Sequence, residues 1–135
     1  MNTNKLKIIQ IVALAISTIV TVLAMLRASE WSIDSSVLLF IGWAVSPYLF
    51  LLVMSFLLNK FTSLPYKSVI FCFTSILMLV FTLLAYVGTL GNKSSTSALI
   101  FVFAPVYLYV GSVIVLIVGL ITARLFGRSK TENIK

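Results

Sequence analysis

Histidine is absent from the 135 residues, cysteine occurs once, and three acids stand against ten lysines and arginines. Each scarcity removes a class of chemistry. Without imidazole there is no base for a Ser-His-Asp arrangement and no neutral nitrogen ligand for a metal. A lone thiol, Cys72, has no intrachain partner, and with no Cys-x-x-Cys motif it cannot relay electrons; it reads as a small apolar core residue. The chain is expected to carry no cofactor and no metal, and not to be an enzyme.

What fills the chain is hydrocarbon. Hydrophobic residues make up 61% of it, charged residues 10%, and the mean hydropathy is +1.16, outside the range of soluble domains. Four uncharged apolar runs stand out: Ile8 to Leu26 (19 residues), Val37 to Leu58 (22), Ser68 to Leu90 (23) and Ala98 to Ile121 (24). A helix rises 1.5 Å per residue, so about 20 residues cross a hydrocarbon core roughly 30 Å thick, and each run is long enough. The runs lack the period-2 alternation of a barrel strand, and backbone amides in lipid must be satisfied within their own segment. The sequence therefore predicts an all-α integral membrane protein, a compact bundle of four transmembrane helices in one domain. What remains outside the runs is too short for a second domain.

None of the four runs contains Asp, Glu, Lys or Arg. A proton-coupled carrier keeps an ionisable group near mid-membrane for the proton to occupy, and this chain offers none. Polar catalysis would be confined to Arg27, Glu30 and Asp34 beside Trp31 in the first outer loop, where two acids four residues apart read as solvated side chains.

Charge sets the expected orientation. With both ends on one side, that side holds Lys5, Lys7, Lys60, Lys67, Arg124, Arg128, Lys130 and Lys135, while the other holds Arg27 and Lys93. Positive residues collect in cytoplasmic segments, so both termini and the Asn59 to Lys67 loop are expected inside. The expected location is the cell membrane, of the bacterial inner-membrane kind. Lys5 and Lys7 followed by an apolar run and Val22-Leu23-Ala24 have the outline of a signal peptide, but the run exceeds the usual core of about 7–15 residues, and a retained span is expected. The basic tail reads as an anchor on anionic lipid; it has no aromatic platform for bases, so nucleic acid is not an expected partner.

Polar residues within the runs are ordered. At 100° per residue Gln10, Ala13, Ser17, Thr21 and Ala24 fall within roughly 80° on the first helix. Ser68, Cys72, Ser75, Thr82, Tyr86 and Thr89 fall within roughly 100° on the third. Such stripes either pack helices closely, with hydroxyls bonded across or back to their own turn, or line a hydrated cavity. Gln10, Ser17, Thr21, Ser75, Thr82 and Tyr86 are the candidate lining residues.

The second and fourth runs contain Pro47 and Pro105, each freeing a carbonyl one turn earlier, at Trp43 and Phe101. These are candidate hinges or static bends. Gly42, Ser46, Gly111, Ser112 and Gly119 are candidate helix-contact positions; of these Ser112 and Gly119 share one side of the fourth helix with Ala98, Phe101, Pro105 and Ala123. Aligning the prolines gives an offset of 58 residues and a weak two-hairpin repeat about an axis along the membrane normal. The leading expectation is a non-enzymatic interaction module, an accessory subunit or immunity-type protein, whose partners are lipid and either itself or another membrane protein. The alternative is an oligomeric passive conduit or facilitative transporter for a small solute or cation, since four helices alone enclose little beyond their own side chains.

Overall fold

The computed structural model describes residues 3–31, 33–61, 66–88 and 95–132, with side chains in the last segment described over 99–125. Four helices account for nearly all of them: α1 (Thr3–Ala28), α2 (Ser35–Phe61), α3 (Lys67–Val87) and α4 (Ser95–Glu132). All four are long and apolar enough to cross a membrane. The third expected span reaches further than the helix, which stops at Val87 with Gly88 as its cap. The fourth helix is longer than its apolar run; at 38 residues it measures about 57 Å. An apolar run marks the part of a helix that lipid can hold, and the backbone ladder continues past it into the polar tail.

Local chemistry closes the helix ends. After Ala28 the chain turns through two left-handed residues, Glu30 (φ 55°) and Trp31 (φ 62°), and the Trp31 amide reaches back to the Leu26 carbonyl at 2.8 Å. That bond satisfies one of the acceptors a helix C-terminus leaves open. Asp34 opens α2 by accepting from the Leu38 amide. At the other end of α2, Lys67 donates from Nζ to the Asn59 carbonyl, placing a cation on a helix C-terminus where the aligned peptide dipoles favour it. Tyr66, also left-handed (φ 61°), opens α3 with its carbonyl accepting from Val69 and Ile70.

The helices form a ring in which α1 packs on α3, α3 on α4, α4 on α2 and α2 on α1; α2 and α3 touch weakly across the diagonal. The tightest seam is α1 against α3. Helices running the same way are thus neighbours. A two-fold axis along the membrane normal relating one hairpin to the other would instead place α1 opposite α3 and α2 opposite α4. The observed ring sets the hairpins side by side.

The bundle is inverted with respect to a soluble protein. Its exterior carries Leu39, Phe56, Leu84, Ile117 and many like them, whereas Gln10, Ser17, Thr21, Ser75, Thr82 and Ser112 are buried. In water that arrangement exposes far more apolar surface than a soluble monomer tolerates; in lipid it costs nothing. Two clusters of larger side chains fill the spaces between helices. One contains Leu14, Tyr48, Leu51, Phe71, Met78 and Leu108, and the other, at the end bearing the Glu30 turn, contains Ala24, Met25, Ala44, Tyr86 and Phe101.

Candidate functional site

The polar stripes of α1 and α3 face each other. Gln10, Ala13, Ser17, Thr21 and Ala24 are buried on α1, and Ser68, Cys72, Ser75, Thr82 and Tyr86 on α3. Thr89 and the side chain of Ala98 lie outside the described residues. Small side chains along both faces let the two backbones come close, which accounts for the tightness of this seam. The hydroxyls mostly turn back on their own helices. Ser17 donates to the Ala13 carbonyl at 2.9 Å, Ser75 to Phe71 at 2.8 Å and Thr74 to Ile70 at 2.8 Å. Each proton is thereby held one turn back along the chain, where it asks nothing of a neighbour.

The exception is where α2 reaches in. The Tyr48 side chain, 2% exposed, lies between Thr21 and Thr82, with its hydroxyl 2.9 Å from one threonine oxygen and 2.7 Å from the other. Three helices meet at that hydroxyl. Further along, Ser55 of α2 donates to Oε1 of Gln10 at 3.2 Å, tying α2 to α1 a second time. Tyr86 does not join this group; its ring stacks on Phe101 of α4 at 5.4 Å between centroids.

Neither Tyr48 nor Ser55 stands among the residues singled out from the sequence. The signal was present in spacing: the buried residues of α2 include Ala44, Tyr48, Leu51 and Ser55, a 4-3-4 rhythm that marks one helix face. It is masked because α2 is apolar all round.

No family model, curated protein or solved structure matches the chain. What the chain can do rests on its own geometry.

Both prolines are buried within continuous helices. The carbonyl that Pro47 orphans, on Trp43, accepts the Ser46 hydroxyl at 2.6 Å, so the residue before the proline supplies the proton the ring cannot. Trp43 also donates from its indole nitrogen to the Val102 carbonyl of α4 at 3.4 Å, one turn ahead of Pro105. The α2–α4 seam continues in aromatic contacts of Tyr109 with Trp43 and Phe50.

The small residues divide into two kinds. Gly119 is an internal contact: a Cβ there would come within 2.7 Å of Ile70 Cγ2 on α3. Ser112 is buried and donates to the Tyr109 carbonyl. Gly42 and Gly111 are exposed and a Cβ at either would meet nothing within 4 Å. Gly111 borders an apolar depression of about 200 Å³ between α3 and α4, alongside Thr74, Met78, Tyr107 and Ser112. A second of about 430 Å³ follows it along the same seam, sharing Val115 and running past Phe73 to Gly119.

Proposed function

We propose that the chain is a non-enzymatic module of the cell membrane that acts through lateral helix contacts, with a second copy or with another membrane protein. The observation that carries this reading is the pair of open glycines. Glycine in a helix interior is less favourable than alanine by about 0.8–1 kcal/mol. At Gly119 close packing on Ile70 offsets that cost. At Gly42 and Gly111 nothing among the described residues does so, and a glycine facing outward permits another backbone to approach. The polar seam supports the same reading, because the hydroxyls of Ser17, Thr21, Ser75 and Thr82 are engaged by their own carbonyls or by Tyr48 rather than facing an open lumen.

Both termini lie in the cytoplasm on this reading, with the basic residues Lys5, Lys7, Lys60 and Lys67 against the anionic leaflet. A membrane-impermeant thiol reagent that labelled a cysteine at Lys60 from outside intact cells would overturn that orientation.

The test of the module is affinity capture from native membranes in mild detergent. A second copy or a partner membrane protein is expected to co-purify with the wild type, and Gly111→Leu or Gly42→Leu to release it while the chain still inserts. Recovery of the chain alone, with neither a second copy nor a partner, would end this reading.

A further inference from the structure

Four short oxygen–oxygen contacts converge where α1, α2 and α3 meet. Thr21 Oγ1 lies 2.8 Å from the Ser17 carbonyl and 2.9 Å from the Tyr48 hydroxyl. Thr82 Oγ1 lies 2.7 Å from the Met78 carbonyl and 2.7 Å from the same Tyr48 hydroxyl. Every hydrogen bond needs a proton, and three hydroxyls supply three. A carbonyl can only accept, so with these two bonds made each threonine's proton is held on its own helix. Tyr48 then has one proton for two acceptors. Whichever threonine receives it, the other contact holds two oxygens within hydrogen-bond distance with no proton between them.

We infer that the Tyr48 hydroxyl is a two-position switch, giving its proton alternately to Thr21 on α1 and to Thr82 on α3, so that through this hydroxyl α2 is bonded to one of these helices at a time. The surroundings suit such a device. Residue 47, immediately before the tyrosine, is the proline whose missing N–H opens the backbone ladder of α2, so Tyr48 sits at the point where this helix bends most easily. The Ser55–Gln10 bond tethers the following stretch of α2 to α1 and gives the motion a pivot. The three hydroxyls stay neutral in either position, so the switch needs no change of charge within the membrane.

Contention also means that the tyrosine hydroxyl adds little to the fold. With phenylalanine at position 48, both threonines would keep their carbonyls and no polar atom would be stranded. Tyrosine there serves alternation rather than stability.

The experiment is a set of hydroxyl deletions in the full-length protein, read by reversible unfolding in bicelles. Thr21→Val or Thr82→Val alone resolves the contention, and each is expected to leave the folding equilibrium within about threefold of wild type. The double variant strands the Tyr48 hydroxyl without an acceptor and is expected to lower that equilibrium by about tenfold or more. Tyr48→Phe in the double background is expected to restore it. Two independent, full-strength bonds would give a different result: each single deletion would weaken folding, and the double would show the product of the two. That outcome would overturn the inference.

A second readout does not depend on stability. In wild type the γ-methyl resonances of Thr21 and Thr82 are expected to exchange between two positions. In Thr82→Val the Thr21 signal should collapse to one. A single, unexchanging signal for both threonines in the wild type would also refute the switch.

Discussion

Identical residues carry opposite consequences in this bundle depending on which way they point, and the glycines of α4 make the case. Gly119 faces α3, where a methyl group would have to displace Ile70, a side chain branched at Cβ and stiff at χ1. Gly111, eight positions earlier, faces outward with free space around its Cα. Gly119→Ala is therefore expected to destabilise the monomer by about 1–3 kcal/mol through overpacking. Gly111→Ala is expected to leave the monomer unchanged or stabilise it by up to about 1 kcal/mol through helix propensity. Unfolding of the two variants in bicelles checks the contrast; equal effects would mean that the α3–α4 seam does not close on Gly119. From the sequence both glycines are candidate contact positions, and only Gly119 falls on the side of α4 shared by Ala98, Phe101, Pro105, Ser112 and Ala123; spacing gives a face but not what stands opposite it.

Elements differ in how plainly they announce themselves. On α1 and α3 the polar residues are numerous enough to draw a stripe, and both stripes are buried and opposed. On α2 the residues that matter, Tyr48 and Ser55, are isolated polar atoms on a helix that is apolar on every side, so no amphipathic period reveals them. Their partners do. Gln10 is a buried amide on α1, and an amide in hydrocarbon requires a donor or acceptor from some neighbouring helix. Ser55 supplies one, its hydroxyl donating to the amide oxygen. A double-mutant cycle of Gln10→Met with Ser55→Ala is expected to show a coupling of about 0.6 kcal/mol, the average for hydrogen bonds between membrane helices, and no more than about 1.7 kcal/mol. Coupling indistinguishable from zero would mean that α2 leans on α1 through apolar packing alone. Pro47 shows a related limit of pattern reading. A proline in an apolar run signals an orphan carbonyl, yet only the fold reveals that Ser46, one residue earlier, satisfies it.

For the molecule as a whole, the governing question is whether water enters the seam between α1 and α3. Four helices in a ring around small side chains leave little interior, and here α2 closes the gap by pushing Tyr48 across it. The same residue types that could line a pore instead serve as spacers: Ser17 and Ser75 are fully buried and bonded to their own helices. Composition alone could not separate these outcomes, since a wet stripe and a dry one have the same period. Reactivity separates them. Thiols react as thiolates, which form readily in water and poorly in an apolar environment. Cys72 sits on the buried face of α3, so the protein carries its own probe. A water-soluble, membrane-impermeant maleimide is expected to leave Cys72 unmodified from both sides of the membrane. In a Cys72→Ser background it is expected to spare Ser17→Cys and to modify Trp31→Cys at the exposed turn after α1 within minutes. Proteoliposomes should correspondingly pass small solutes and cations no faster than empty vesicles. Rapid modification of the cysteine at position 17, accompanied by solute flux that labelling then blocks, would move the stripes from the packing of the bundle to the wall of a channel.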